Sequence, residues 1–257
     1  MADHSALGPT ALITGASSGI GLAYAKHLAS TGYQIILVSQ DPHRLDQAAA
    51  QLGASVLAQH AIDLSSRAGV SRLIDAVPTP DVLIANAGVT IPGKVGSIDS
   101  ETRDRLYYLL CGGVIDLLEA MLPSMIARGH GRAVVVSSIA ALTPMRKSSL
   151  YASAKAGVAR YVDSLAEELI DSPVALTVSL PGYVRTAAHE RAGLGHLQTQ
   201  IPGWMWLTAD EMVQETERAS LQGKAAIVPG RVYRWVRPFL GSQIANTVWQ
   251  QLSGRRR

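Results

Sequence analysis

The sequence predicts an α/β protein with a doubly wound parallel sheet in a single domain. Short apolar, β-branched runs alternate with helical patterns along the chain, and several of these runs lack polar alternation. Strands of that kind are typical of a parallel sheet that is covered on both faces. No linker, low-complexity segment or repeat interrupts the pattern over 257 residues. Strand–helix repetition without interruption builds an open sheet with helices on both sides.

The individual elements follow from the local patterns, taken in chain order. Seven strands are predicted at residues 10–14, 34–38, 56–62, 82–85, 133–137, 175–180 and 225–228. Six helices are predicted between them, at residues 19–30, 42–52, 67–76, 100–128, 149–170 and 209–223. The least regular stretch follows the sixth strand. Because a loop that long at a strand end is usually functional, we predict a lobe that covers the substrate at about residues 182–207.

Composition narrows the class of protein. The only cysteine, Cys111, excludes an internal disulfide and a multi-cysteine metal site, so we expect no metal and a reducing, cytoplasmic compartment. The start of the chain lacks the pattern of a signal peptide. No apolar stretch approaches the ~18 residues expected of a membrane span. An apolar content of 47% is ordinary for a soluble globular protein.

The net charge of +3 hides a basic C-terminal tail. Residues 231–257 contain six arginines and no acidic residue, and the tail also carries Trp235, Phe239 and Trp249. One interpretation is a weak contact with an anionic membrane surface or an acidic partner. The interpretation that we favour is a solvated terminus whose aromatic side chains pack on the core or on another subunit. Nucleic-acid binding is not expected, since acidic residues match the basic residues outside the tail.

A glycine turn lies between the first strand and the first helix, at residues 14–21. Glycines at this place allow a tight turn and a close approach of the backbone to a pyrophosphate. The helix that follows supplies free N–H groups and the positive end of its dipole. The spacing Gly-x3-Gly-x-Gly differs from the common dinucleotide fingerprint. Its position after the first strand nevertheless favours nucleotide binding over a plain turn.

Tyr151, Lys155 and Ser138 form a candidate acid–base group. Residues four apart on a helix lie on one face, so the lysine ammonium is expected near the tyrosine, where it would lower a phenol pKa of about 10. Ser138 ends a strand-like run, and its hydroxyl could bind a substrate oxygen. A tyrosine and a lysine at this spacing also occur by chance, and the glycine turn is what favours catalysis.

These motifs, together with Asn86-Ala87-Gly88 and Pro181-Gly182, resemble the motif set of the short-chain dehydrogenase/reductase family in order and spacing. The resemblance covers roughly residues 10–190. It implies a Rossmann-type sheet and the transfer of a hydride between a nicotinamide cofactor and a carbonyl or alcohol. It further implies that Ser138 binds the carbonyl, that Tyr151 donates the proton, and that Lys155 lowers the pKa of Tyr151 and binds the nicotinamide ribose.

The resemblance also implies the cofactor-binding residues. The pyrophosphate would lie against Gly15, Ser17, Ser18, Gly19, Ile20 and Gly21. The adenosine end would contact Ser39, Gln40, Asp63, Leu64, Asn86, Ala87 and Gly88. The nicotinamide end would contact Tyr151, Lys155, Pro181, Gly182, Val184 and Thr186.

The end of the second strand bears on the choice between NAD and NADP. An acidic side chain there accepts the ribose hydroxyls of NAD and repels a 2′-phosphate. The position where the acid is expected holds Ser39, and the next holds Gln40. The hydroxyls of Ser17, Ser18 and Ser39 can donate to a phosphate, and Arg44 begins the next helix. The sequence therefore favours NADP, with NAD as the alternative.

One position departs from the family pattern. The family usually has an asparagine in the long helix, as part of a water relay to the lysine, and Leu110 stands there. Gly112 and Gly113 follow it; two such glycines weaken a helix by about 1 kcal/mol each relative to alanine and could permit a local kink that frees a carbonyl. Leu110 slightly favours an alternative function, a nucleotide-binding sensor or scaffold with little catalysis.

The predicted lobe and the long helices suggest the partners. The lobe contains Leu194, Leu197, Ile201, Trp204 and Trp206. These residues favour an apolar, sizeable carbonyl or alcohol as the substrate, although they could equally pack the lobe onto the core. Members of the family often associate through the helices predicted at 100–128 and 149–170, so a homodimer or homotetramer is expected.

Overall fold

A computed structural model of the chain describes residues 8–187, 191–193 and 195–239. Within these ranges a central sheet has seven parallel strands in the order β3-β2-β1-β4-β5-β6-β9. The strands of this sheet are β1 (Thr10–Thr14), β2 (Gln34–Ser39), β3 (Val56–Ala61), β4 (Val82–Ala85), β5 (Gly131–Val136), β6 (Val174–Ser179) and β9 (Ala226–Ile227). The predicted doubly wound parallel sheet is confirmed.

Helices cover both faces of the sheet, because successive strand residues point to opposite sides. On one face, α1 and α2 and the later α8 pack with residues such as Ile13 and Leu37; on the other, α3, α5 and α6 pack with residues such as Leu12 and Leu83. The helices are α1 (Gly19–Ser30), α2 (Pro42–Leu52), α3 (Arg67–Ala76), α4 (Ser100–Tyr107), α5 (Gly113–Arg128), α6 (Ser149–Glu168), α7 (Leu197–Gln200), α8 (Ala209–Leu221) and α9 (Arg231–Val236).

Most differences from the predicted elements are small shifts at their ends. The strands predicted at 133–137 and 175–180 begin and end one or two residues earlier, and the last strand is reduced to Ala226–Ile227. The two helices predicted to end at 170 and 223 end at 168 and 221. Backbone hydrogen bonds set the ends of strands and helices, and residue types do not encode those bonds directly, so the sequence pattern locates the ends only to within one or two residues.

The lobe predicted at about 182–207 contains short regular elements. Strand β7 (Tyr183–Val184) pairs in parallel with β8 (Trp206–Leu207), and α7 lies between them in the chain. The hydrogen bonds between these strands tie the beginning of the lobe to its end. Leu194 lies outside the described residues, as do the side chain of Leu197, the side chain of Phe239 and the tail from residue 240 onward.

The continuous helical segment Ser100–Arg128, which contains α4 and α5, has 29 residues and is long and apolar enough to cross a membrane by length and composition. The expectation that no apolar stretch approaches the length of a membrane span is therefore wrong by this criterion. In the fold this segment is a core helix. Leu106, Leu117, Leu118 and Met125 are buried in the cluster that packs against the sheet and against α6. The burial of its apolar face explains the apolar composition.

The order of the strands places a crevice at the C-terminal ends of β1 and β4. The chain leaves β1 toward β2 on one side, and β4 and β5 extend the sheet on the other side. Ligands of open α/β sheets bind at such a point, outside the carboxyl ends of the strands. The residues that the sequence predicts as functional follow the ends of β1, β2, β3, β4, β5 and β6.

Candidate active site

The glycine turn after β1 has the backbone geometry that its sequence predicts. Gly15 and Gly19 have φ angles of +66° and +56°, a region that favours glycine. A Cβ atom at Gly21 would lie 2.2 Å from the carbonyl oxygen of Gly15, so only glycine fits there. Ser18 is the N-cap of α1, yet its side chain makes no capping hydrogen bond. The first N–H groups of α1 therefore have no side-chain cap and suit an anion.

Asn86 supports the turn from the neighbouring strand. Its side-chain amide donates to the carbonyl oxygen of Thr14 at 3.0 Å, and the backbone N–H groups of Asn86 and Ala87 both donate to Thr14 Oγ1 at 2.9 Å. A Cβ atom at Gly15 would lie 2.9 Å from Asn86 Nδ2. In this structure Asn86 joins the end of β4 to the glycine turn and fixes the floor of the crevice.

Two serine hydroxyls face each other where β2 ends. Ser17 Oγ and Ser39 Oγ are 2.8 Å apart. Arg44, which could have reached a phosphate here, is held by the N-cap residue of α2, because its Nε donates to Asp41 Oδ2 at 2.6 Å. This end of β2 therefore presents paired hydroxyls, while the nearest guanidinium is engaged within its own helix. Gln40 is exposed beside them.

Asp63 and Leu64 follow β3, as predicted, but the aspartate is already engaged. Its carboxylate accepts hydrogen bonds from Ser65 N at 2.9 Å and from Arg105 Nη2 at 2.6 Å. Burial works in the opposite direction, yet these hydrogen bonds hold the pKa of Asp63 below its usual range. The side chain is ionised and fixed at neutral pH. Leu64 lines a small cavity with Leu73 and Leu109 beneath it.

The three candidate acid–base residues come together at the end of β5. Ser138 caps a short 3-10 helix, where its Oγ accepts from Ala140 N at 3.1 Å, and its side chain lowers the pKa of the nearby Tyr151 phenol. Lys155 is buried, and its Nζ donates to the carbonyl oxygen of Val136 at 2.7 Å. Ser137 Oγ donates to the carbonyl oxygen of Lys155 at 2.9 Å. The first turns of α6 are thus bonded to the end of β5.

The ionisation of Tyr151 differs from the expectation. Burial raises the pKa of Tyr151, and the hydrogen bond with Ser138 lowers it only in part. Lys155 Nζ is 6.0 Å from the centroid of the Tyr151 ring and is directed at a carbonyl oxygen. The prediction that Lys155 lowers the pKa of this phenol is therefore wrong for this arrangement, because the ammonium is too far from the ring and is turned toward the backbone. Burial also lowers the pKa of Lys155, to about 8.

The irregularity predicted near Leu110 is present. Hydrogen bonding changes from α to π over Tyr108–Gly112, between α4 and α5, and such π-turns are a recognised cause of local bends. The Leu110 side chain is fully buried, and its Cδ2 would lie 3.0 Å from a Cβ atom at Gly88. Leu110 therefore packs against the Asn86-Ala87-Gly88 turn.

The segment after β6 contacts the glycine turn, and it also contacts Tyr233, which the sequence did not indicate. A Cβ atom at Gly19 would lie 3.1 Å from Thr186 Cγ2. Pro181 and Val184 are buried, and Gly182 lies directly under the ring of Tyr233. Tyr233 was missed because its partners are about 50 residues away in the sequence.

Two further residues bear on the lobe. Arg191 Nη2 donates to Ser18 Oγ at 3.1 Å, which places a cation over the glycine turn.

Trp206 is buried and packs on Tyr183 with ring centroids 5.3 Å apart, so it holds the lobe together. Trp204 is 67% exposed. The apolar residues of the lobe could contact a substrate or pack the lobe onto the core. Trp206 packs within the protein, whereas the exposed Trp204 is available for contact with a ligand or partner.

Comparison with known proteins adds independent information. The family model described as short chain dehydrogenase matches residues 9–195. An uncharacterized oxidoreductase of Staphylococcus haemolyticus is 31% identical over 192 residues, which cover 73% of this chain and 83% of that protein.

Two solved structures show the same fold over most of the chain. The short-chain dehydrogenase from Sphingobium yanoikuyae in complex with NADPH has a TM-score of 0.78 at 29% identity and covers 97% of this chain and 96% of its own. The L-sorbose reductase from Gluconobacter frateurii, complexed with NADPH and L-sorbose, has a TM-score of 0.76 at 25% identity and covers 87% and 95%. With its seven-stranded parallel sheet and its family match over residues 9–195, the chain belongs to the short-chain dehydrogenase/reductase family of oxidoreductases.

Proposed function

We propose that the protein catalyses the NADP(H)-dependent interconversion of a carbonyl compound and its alcohol, with Ser138, Tyr151 and Lys155 as the catalytic residues. The observation that carries this proposal is that the three residues come together at the end of β5. Ser138 lies near the Tyr151 phenol, and the buried Lys155 follows one helical turn further along α6, with its Nζ 6.0 Å from the centroid of the Tyr151 ring. This group lies at the same edge of the sheet as the glycine turn. Acid–base residues and an anion-binding turn at one edge suit a reductase.

The glycine turn fits the pyrophosphate of a dinucleotide. The backbone at Gly21 has no room for a side chain, and the N-terminus of α1 has no side-chain cap. Gly15, Ser17, Ser18, Gly19, Ile20 and Gly21 would hold the pyrophosphate, and Val184 and Thr186 the nicotinamide end. A nicotinamide bound there supplies or accepts the hydride.

The proton chemistry is assigned to this chain's own residues. Ser138 donates a hydrogen bond to the substrate oxygen and orients the Tyr151 phenol. Tyr151 stays protonated at neutral pH because burial raises its pKa, so it is available as the proton donor during reduction. Lys155 donates one N–H of its ammonium to Val136, and its remaining N–H groups would bind the nicotinamide ribose.

The proposal is tested by following the oxidation of NADPH and NADH with a panel of ketones and aldehydes. We expect turnover with apolar, sizeable carbonyl compounds, because the exposed Trp204 gives the lobe an apolar surface. Polar sugars of similar size are the comparison set for substrate polarity. Tight cofactor binding without turnover on any member of the panel would contradict the enzyme proposal and favour a nucleotide-binding sensor.

The paired serine hydroxyls predict the cofactor preference. The variant Ser39→Asp places a carboxylate beside Ser17, where it would repel a 2′-phosphate and accept the ribose hydroxyls of NAD. We expect the ratio of kcat/KM for NADPH to that for NADH to fall at least about tenfold, which requires only about 1.4 kcal/mol of charge repulsion. Ser39→Asn is the matched control, because asparagine has the size of aspartate but carries no charge. An unchanged ratio in Ser39→Asp would place the 2′-phosphate elsewhere.

The buried lysine predicts the pH dependence of reduction. The pKa of Lys155 is lowered by burial to about 8, so its ammonium form is complete well below pH 8 and is lost as the pH rises through that value. Tyr151 remains protonated over the same range because its pKa is raised. We therefore expect kcat/KM for carbonyl reduction to be constant on the acid side and to decrease above about pH 8. A profile that stays flat to pH 9.5 would remove the charge of Lys155 from the mechanism.

A further inference from the structure

Tyr233 of α9 connects three parts of the chain that are far apart in sequence. Its ring lies over Gly182, where a Cβ atom would be only 2.0 Å from the ring atom Cζ. Its hydroxyl accepts a hydrogen bond from Tyr183 N at 3.1 Å and donates one to the carbonyl oxygen of Met205 at 2.6 Å. The side chain is 2% exposed. One phenol therefore fixes both the first and the last part of the lobe.

Contacts with α8 and β8 fix the start of α9, the helix that carries Tyr233. Gly230, the residue before α9, has a φ of +89° and donates its N–H to Glu215 Oε2 at 2.9 Å. Glu215 belongs to α8, which packs on the sheet through Met212 and Val213. A Cβ atom at Gly230 would lie 3.1 Å from Leu207 of β8. The position of Tyr233 is thus set from the core of the domain.

The segment that Tyr233 fixes leads directly to the glycine turn. Tyr183, whose backbone N–H is bound by the phenol, begins the strand that contains Val184, and Thr186 follows two residues later. Thr186 lies against Gly19 of the glycine turn. A shift of the chain at Gly182 or Tyr183 would therefore move the residues that face the nicotinamide end of the crevice. It would leave Ser39, at the adenosine end, and its hydrogen bond with Ser17 in place.

We propose that Tyr233 is a positioning residue that holds segment 182–186 in the geometry that binds the nicotinamide end of the cofactor. This inference rests on the proposed function. Tyr233 touches neither the substrate nor the reacting atoms in this proposal. It acts through Tyr183, Val184 and Thr186, and its hydroxyl is the part of the side chain that joins the two ends of the lobe.

The test compares two ligands in the variant Tyr233→Phe, which keeps the ring on Gly182 and removes only the hydroxyl. NADPH contacts the whole crevice, whereas 2′,5′-ADP lacks the nicotinamide and reports on the adenosine end alone. By titration calorimetry we expect the Kd of NADPH to rise ~5- to 10-fold, the usual effect of one lost buried hydrogen bond, and the Kd of 2′,5′-ADP to be unchanged. In kinetics, KM for NADPH should rise while kcat changes little.

Tyr161→Phe is the matched control, since its hydroxyl binds Glu119 on α5, away from the lobe. Equal affinity for NADPH in wild type and Tyr233→Phe would overturn the inference. Equal weakening of both ligands would also overturn it, because that result indicates a general loss of structure. Wild-type protein that binds neither NADPH nor NADH would overturn the proposed function and this inference with it; normal NADPH binding combined with an unaffected variant would overturn this inference alone.

Discussion

Replacing Tyr151 with phenylalanine should lower kcat/KM for carbonyl reduction by about 10²- to 10⁴-fold, the usual contribution of a positioned general acid. Phenylalanine keeps the ring, which packs against the buried apolar cluster on this face of the sheet. The change removes the hydroxyl that lies near Ser138 and that would give its proton to the substrate oxygen. The measurement is the initial rate of NADPH oxidation with the best substrate of the carbonyl panel.

The Tyr151→Phe result can be separated from loss of folding or of cofactor binding. The Kd of NADPH should stay close to that of wild type, because the backbone turn and the paired serines are unchanged. Tyr161→Phe, which removes a phenol hydroxyl from the same helix outside the site, should keep nearly full activity. Equal rates for wild type and Tyr151→Phe would exclude Tyr151 as the proton donor.

The sequence predicted the sheet well because burial on both faces leaves a simple signal. Strands β1 and β4 are flanked by other strands, and both match the predicted residues 10–14 and 82–85. The ends of other strands were predicted less well. Inside the sheet β5 and β6 are shifted by one or two residues, and at its edge the pairing of β3 with β2 ends at Ala61, one residue before the predicted end. The end of a strand depends on its hydrogen bonds with neighbouring strands, which a run of residue types does not encode.

The backbone of the site was predictable, and its side-chain pairing was not. Gly15, Gly19 and Gly21 have no alternative residue that would fit, so their spacing indicates the turn directly. The direction of the Tyr151 pKa depends on the three-dimensional position of the Lys155 ammonium, which bonds Val136. Spacing on a helix places two side chains on one face, but it does not decide which atoms they bind.

Residues brought to the site from distant parts of the chain were missed for a related reason. Tyr233 meets Gly182 across about 50 residues, and Arg191 meets Ser18 across 173. Neither belongs to a local motif, and neither follows from helix or strand periodicity. Gly182 was the available signal for Tyr233, because a glycine at this position indicates that another group packs closely on the backbone.

The largest effect on stability is expected from the buried ion pair between β5 and α8. Arg132 Nη1 donates to Glu217 Oε2 at 2.9 Å, its Nη2 bonds Glu217 Oε1, and both side chains are almost fully buried. Although burial alone would lower it, the carboxylate of Glu217 holds the pKa of Arg132 above its ordinary value. Glu217→Ala leaves an unpaired buried charge. We expect the free energy of unfolding to fall by about 3–5 kcal/mol, measured by urea denaturation.

A double variant separates the cost of an unpaired buried charge from the cost of losing the ion pair itself. In the double variant Arg132→Met and Glu217→Leu neither charge remains, and apolar side chains of similar volume fill the space, so most of the lost stability should return. Asp163→Ala breaks the exposed pair with Arg160 and should cost less than about 1 kcal/mol. If Glu217→Ala cost no more than Asp163→Ala, water or a neighbour such as Ser220 would have to satisfy Arg132 in the variant. If the double variant were as unstable as Glu217→Ala, removing the unpaired charge would not have restored stability. The ion pair itself would then stabilise the contact between α8 and the sheet.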